Sequence, residues 1–364
     1  MRPAVQSPHS QSGSVGEPYA IGLLRSMLEI PSPSYEEARL AAHVASIMGQ
    51  LGFTVQVDTA GNAMGELVRG EGPTVMLAGH LDTVPGEIEV RAEDNRLYGR
   101  GAVDAKSPLA AMICAAYNAD RFRGRLIVVG AVEEETSQSR GAVLIRETHE
   151  RPDALIVGEP SGWDTVVVGY KGKLDLHYSV ERPATHPSNP EPKASELAAE
   201  SWLALLEVLR PARGHTSFST PGPTLVSISG NLVFAEAELS IRTPLGYECA
   251  ALVTALRERT PLGSLEVVNS VAACRVSRAN PVVRALASGI RGHAVGPAFK
   301  AKSGTSDMNI FAEVWDVPMA TYGPGDSRLD HGADEHVLIS DYLRSINVLS
   351  DALGRLPGYL GVGG

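Results

Sequence analysis

Residues 74–82 read Thr74-Val75-Met76-Leu77-Ala78-Gly79-His80-Leu81-Asp82. An apolar run of strand length gives way to a histidine and an aspartate two residues apart, so both side chains leave the chain on the same side. The run predicts a buried strand over 74–78. Open α/β sheets build their sites at the carboxyl ends of parallel strands, which makes His80 and Asp82 the first candidates for chemistry. Taken alone, a His and an Asp in such a position are more often an ordinary surface loop.

Working outward, β-rich runs recur at 53–57, 126–132 and 154–157. Helices are predicted between them at 107–118 and 141–150. Upstream, Ile21, Leu24, Met27 and Leu28 have helical spacing, and a second helix is expected from Ser34 onward. Ser34 and Glu37 form its capping box and Gly52 ends it. Strands alternating with helices predict an α/β fold with a mainly parallel sheet covered on both faces.

The pattern changes after Val168. An exposed strand is expected at 174–180, an amphipathic helix at 195–209, two strands within 225–241 and a helix at 248–259. This β-α-β-β-α-β succession predicts an inserted α+β, ferredoxin-like domain. The α/β pattern resumes near Asn280, with strands near Ala298 and Met319 and a last helix at 341–353. The organisation is therefore a tail of residues 1–17, a first domain of 18–169 and 276–364, and an insertion of 170–275. The tail is rich in Ser, Pro, Gln and Gly and reads as disordered.

With 364 residues, 43% of them hydrophobic, the chain is long enough for more than one core. Its 32 Lys and Arg against 42 Asp and Glu give a net charge of −10. That balance argues against nucleic acid or an anionic membrane as the main partner. Three scattered cysteines form no disulfide or zinc-ribbon pattern. With no signal-peptide stretch and no apolar run of membrane-spanning length, the expected location is the cytoplasm.

Further candidates follow predicted strand ends. Gly99-Arg-Gly-Ala-Val-Asp104-Ala-Lys106 is a glycine-bracketed turn that delivers an acid just before a helix, and it lacks phosphate-loop spacing. Glu133, Glu134 and Glu135 follow the run 126–132; clustered there, each raises its neighbour's pKa and invites a cation. Glu159 follows the run ending at Val157, and His331 follows the turn Tyr322-Gly-Pro-Gly325, with Glu335 four residues on. Each is unremarkable alone. Together, two imidazoles and three carboxylates suit a pair of zinc-like ions with one carboxylate bridging. Glu134 would then take a proton from an attacking water.

In their order, these residues resemble the M20 family of metallopeptidases and amidohydrolases. The resemblance rests on His-x-Asp at 80–82, Gly-Arg-Gly-x-x-Asp-x-Lys at 99–106, Glu-Glu at 134–135, Gly-Glu-Pro at 158–160 and the late His331. It implies that His80, Asp104 and Glu159 hold one metal, with Asp104 bridging to a second held by Glu135 and His331. It also implies that Asp82 orients His80, that Glu134 is the general base, and that the Asp104–Ala105 peptide is cis. The ions implied are zinc, with cobalt as the alternative.

The insertion resembles the family's lid and dimerisation domain. This implies a homodimer in which His186 reaches the partner's site, and a substrate carboxylate held by Asn231, Arg242, Gly304, Thr305 and Ser306. Within the family, residues 132–141, 170–173 and 302–309 are most similar to hydrolases that release lysine or ornithine from the carrier protein LysW. The implied partner is that carrier. N-acetylornithine or N-acetyl-lysine deacetylation, or another M20 dipeptidase or desuccinylase activity, is the alternative. A binding module without activity is the reading from a different class. Two departures from the family's usual pattern stand out, at Ser107 and at the pair Thr136-Ser137. Arg210, Arg213, Arg291 and Lys302 are the candidates for meeting an acidic carrier, with an ordinary solvated surface as the equal alternative.

Overall fold

The structure is a computed structural model that describes residues 14–209 and 217–361. It divides into two compact units, one of residues up to Val168, Val276–Lys300 and Ser306 onward, the other of Gly169–Arg275 with Ala301–Thr305. Arg210, Arg213 and residues 1–13 of the expected tail lie outside the described residues. The rest of that tail is built into the fold. Val15 is buried with its N–H on Asn118 Oδ1 at 2.7 Å, and Glu17 opens the helix Glu17–Leu28.

The first unit is laid on a mixed sheet whose centre is parallel. Side by side run Arg125–Ala131, Thr74–His80, Ala154–Gly158 and Met319–Thr321. Their near-continuous apolar runs are what a strand covered on both faces requires, and their residues are almost all buried. The flanks are antiparallel: the hairpin Thr54–Val57 and Ala63–Val68 extends one side, and Thr165–Tyr170 pairs on the other. The helix Lys106–Asn118 is buried from Lys106 through Ala116. A helix covered all round belongs between layers, and it seats its first turn directly behind Asp104.

One expectation for this unit fails. The second helix is Ala38–Gln50, and the capping box at Ser34 and Glu37 does not form. Ser34 Oγ instead donates to Asp82 Oδ2 at 2.9 Å, while Glu37 Oε1 accepts from the N–H groups of Tyr35 and Glu133. Both side chains are used by distant partners. Gly52, with φ 84°, does follow the end of that helix.

The second unit has the β-α-β-β-α-β order. Its antiparallel sheet runs Gly222–Gly230, Phe234–Thr243, Gly172–Glu181, Ser264–Val271, with the helices Ala194–Leu209 and Cys249–Arg259. The strand expected to be exposed is internal to this sheet. Leu174, Leu176, Tyr178 and Val180 face the core, and only the alternate face, carrying Asp175 and His177, is polar.

Candidate metal centre

His80 closes the central strand and is 1% exposed. Its Nδ1 lies 2.9 Å from the main-chain oxygen of Asp82. Donation there fixes the ring and turns Nε2 toward the carboxylates, the usual way of orienting a metal-binding imidazole. That Nε2 is 3.0 Å from Asp104 Oδ1 and 3.7 Å from Glu159 Oε1. Asp104 Oδ2 is 3.4 Å from His331 Nε2, which is itself 2.9 Å from Glu135 Oε1. Asp104 thus stands between the two histidines. Ligand atoms of His80, Glu134 and Glu159 lie within 4.8 Å of one another, and so do those of Asp104, Glu135 and His331.

Three neighbouring strands end together to make this possible: His80, the 133–135 turn and Glu159 each follow one of them. Asp104 comes from the turn before the buried helix. In that turn Gly101 has φ +86°, and a Cβ there would lie 2.9 Å from the Lys106 side chain and 3.0 Å from Thr83, so only glycine fits. The Asp104–Ala105 peptide is cis. Of the three consecutive acids, Glu133 turns away and pairs with Arg140 at 2.7 Å. Asp82 holds the other two from behind, Oδ1 accepting from Glu134 N–H and Oδ2 from Glu135 N–H, each at 3.0 Å.

Electrostatics show what the cluster lacks. Burial pushes Glu134 well above the ordinary carboxylate range, and the charge of Glu159 pushes it further. Burial also raises Asp307 to about 7, and its Oδ1 has no hydrogen-bond partner among the described residues. Burial disfavours a charged His80, yet its bonds to Asp104 and Asp82 prevail and hold its pKa well above the usual value. Bonds to Asp104 and Glu135 raise His331 to about 10. A cluster that draws protons onto acids and imidazoles alike is short of positive charge. Two divalent cations would supply it, and the donor set of two nitrogens with several carboxylate oxygens suits zinc-like ions.

Residues 76–355 match the description Peptidase family M20/M25/M40. The chain belongs to the M20 family. A LysW-lysine hydrolase from Deinococcus radiodurans is 39% identical over 356 residues, 92% of this chain and 96% of the relative. A LysW-lysine/LysW-ornithine hydrolase from Saccharolobus islandicus is 30% identical over 338 residues, covering 92% and 95%. The M20 metallo-carboxypeptidase Sso-CP2 from Sulfolobus solfataricus shares the fold, with a TM-score of 0.79 at 17% identity over 93% of this chain and 99% of that one. As an M20 member the chain is a metal-dependent hydrolase of C–N bonds. Among the described residues no helix is long and apolar enough to cross a membrane.

The other candidates of this M20 chain lie in or beside the second unit. Arg242 Nη1 donates to Thr305 Oγ1 at 3.1 Å, next to Gly304 in the chain. Asn231 is not with them. It sits in the turn at the far end of the same hairpin, where its Oδ1 accepts from Val233 and Phe234 N–H. Arg242 lies eight steps along the strand from Phe234, about 26 Å at roughly 3.3 Å per residue, so one chain cannot bring Asn231 and Arg242 to one carboxylate. His186 is exposed and bonded to Ser188 Oγ at 2.7 Å. Its loop is tied at both ends to the Asn231 turn, through Arg182 N–H on Val233 and Ser195 N–H on Asn231. Ser306 caps the helix Asp307–Ala312 of the first unit through Met308 N–H.

Two contributors, Glu37 and Glu335, are not legible as functional residues. Asp307 belongs by resemblance to the substrate loop with Gly304, Thr305 and Ser306, and its buried carboxylate is an addition to that reading. Glu37 looked like a cap. Glu335 was visible only by its spacing from His331, yet its buried carboxylate accepts from the N–H groups of Val103 and Asp104.

Proposed function

We propose that this enzyme hydrolyses the amide joining a glutamate side chain of the carrier protein LysW to the α-amino group of lysine or ornithine, in the cytoplasm. The observation that carries this reading is similarity along nearly the whole chain to hydrolases named for LysW-linked amino acids. In the proposed centre His80, Asp104 and Glu159 would hold one divalent ion, and Asp104, Glu135 and His331 would hold a second. Zinc is the proposed metal, with cobalt as the substitute. Paired divalent ions acidify water and polarise a carbonyl oxygen when bound.

The chain's own groups do the rest. Glu134 accepts a proton from the attacking water as the new C–O bond forms, and delivers it to the departing α-amino nitrogen as the C–N bond breaks. Burial and the charge of Glu159 raise its pKa above the ordinary carboxylate range, which favours its uptake of a proton. Asp82 fixes His80 and the Glu134–Glu135 backbone in register. Arg242, with Gly304, Thr305 and Ser306, binds the carboxylate of the released amino acid through directed hydrogen bonds.

The separation of Asn231 and His186 from Arg242 supports a homodimer in which one subunit contributes His186 and Asn231 to its partner's site. His186 would then stabilise the charge growing on the scissile carbonyl oxygen. The edge strand Gly222–Gly230 and the turn beside it expose Val226, Ile228, Leu232, Val233 and Phe234, an apolar edge suited to pairing between copies. Lid and catalytic roles for the two units belong to the same reading.

The deciding comparison is release of lysine and ornithine from LysW conjugates against hydrolysis of N-acetyl-lysine and N-acetylornithine. The reading expects preference for the conjugates. Preference for the acetyl compounds would assign the chain to the deacetylases instead.

A further inference from the structure

A cleft of about 410 Å³ opens in the first unit, and none of the residues lining it belongs to the metal cluster. Small-molecule sites span roughly 300–1,000 Å³, so its size is that of a ligand pocket. Two cations form the inner part of the lining: Lys106 is 1% exposed and the Arg100 side chain 14%. Two acids, Glu36 and Glu87, form the exposed part, and Pro33 and Ile88 supply apolar wall.

The inner cations are only partly used. An ammonium has three donors, and the one hydrogen bond of Lys106 Nζ goes to Ile30 O at 2.8 Å. Arg100 gives Nε to Gly86 O and Nη1 to Gly332 O and Glu335 Oε2, which leaves Nη2 without an acceptor among the described residues. Glu335 is the one carboxylate bonded to either cation, so two buried positive charges share one negative charge. A buried charge without a partner is costly, and a bound carboxylate would offset it with charge-assisted hydrogen bonds. At the exposed end, neither Glu36 nor Glu87 is ion-paired among the described residues, so both can receive an ammonium.

A ligand that satisfies both ends carries a carboxylate, a short apolar stem and an ammonium group. We propose that this cleft is a second binding site, separate from the metal centre, for a free amino acid with a cationic side chain, its carboxylate on Arg100 and Lys106 and its ammonium on Glu36 or Glu87. Lysine and ornithine are of this class, so the site senses accumulated product; that role rests on the function proposed above. The route to the metal centre is short. Arg100 holds Gly332 O, next to His331, and Glu335, whose other oxygen accepts from Asp104 N–H. A carboxylate that draws on Arg100 loosens this connection and slows turnover without occupying the metal centre.

The test is calorimetric titration of the zinc-loaded full chain carrying Arg242→Ala, which removes the carboxylate anchor proposed at the metal centre. The probes are lysine, norleucine, which lacks the side-chain ammonium, and cadaverine, which lacks the carboxylate. One lysine per chain is expected, with norleucine and cadaverine each bound about tenfold more weakly, the effect of losing one charge-assisted contact. Adding Glu36→Gln and Glu87→Gln should weaken lysine to the same degree. Absence of lysine binding, equal affinity for the three probes, or full affinity in the Gln pair overturns the site.

These titrations need no substrate, so their failure is distinct from failure of the carrier reading, which shows as absence of turnover of the LysW conjugate. With the conjugate at saturation, added lysine should lower kcat, and the Gln pair should relieve this inhibition. Purely competitive inhibition overturns the sensing role.

Discussion

Glu335 Oε1 accepts hydrogen bonds from the backbone N–H groups of both Val103, at 2.8 Å, and Asp104, at 3.1 Å. Its other oxygen is 2.7 Å from Arg100 Nη1, and the side chain is 1% exposed. Because Arg100 also donates to Gly332 O, the turn that carries Asp104 and the loop that carries His331 are locked to each other. Glu335→Gln leaves Arg100 without its charge partner and turns an amide N–H₂ against donors. Unfolding in urea should show a loss of about 3–5 kcal/mol, the cost of breaking a buried pair from one side. A loss below about 1 kcal/mol would refute this lock.

Glu134 lies close enough to His80 and Glu159 to serve as a ligand. Its assignment as the proton carrier makes a different prediction from ligation. Glu134→Gln should lower kcat by at least about 10²–10⁴-fold, the usual contribution of a general base. Elemental analysis should still find two metal ions per chain. Loss of one ion would make Glu134 a ligand.

Asp82 is buried, which opposes its charge, yet bonds to His80, Glu135 N–H and Ser34 hold it below the ordinary carboxylate range. Asp82→Asn keeps the size and replaces one acceptor oxygen with a donor facing donors. Metal affinity, measured by competition with a chelator, should fall roughly 10–100-fold, as for other residues that orient metal-binding imidazoles. Equal affinity would mean that the backbone carbonyl of Asp82 alone orients His80.

Asp307 gives a pH signature in the metal-free protein. Burial raises its pKa to about 7 in the folded chain, against an ordinary value of 3.8. Between these values the folded state keeps a proton that the unfolded state has released, so stability falls as pH rises toward 7 and levels off above it. Asp307→Asn removes this dependence. Its stability advantage over the unsubstituted protein should grow by roughly 2–4 kcal/mol between pH 4 and 8, read by denaturant unfolding under chelation. A constant difference across that range would contradict the burial of a charged Asp307.

The parts of this molecule legible in its sequence are those where local pattern and final contact coincide. The apolar runs ending at His80, before Glu133 and before Glu159 are buried parallel strands, and buried parallel strands place their carboxyl ends together whatever the loops do. The order of elements in 172–271 likewise suffices for its sheet. What stayed hidden depends on partners far away in the chain. Ser34 and Glu37 satisfy a local capping rule, but Asp82 and Glu133 compete for them and win. Glu335 meets Asp104 across 231 positions. Asn231 and Arg242 flank one strand, and only the register reveals that its length keeps them apart.

The central claim is that His80, Asp104, Glu135, Glu159 and His331 hold two cations between them. Anomalous diffraction from crystals of the zinc-loaded enzyme tests it most directly. Two peaks per chain are predicted, roughly 3.5–4 Å apart, with Asp104 touching both, His80 and Glu159 on one and Glu135 and His331 on the other. A single peak, or peaks away from these five side chains, would contradict it.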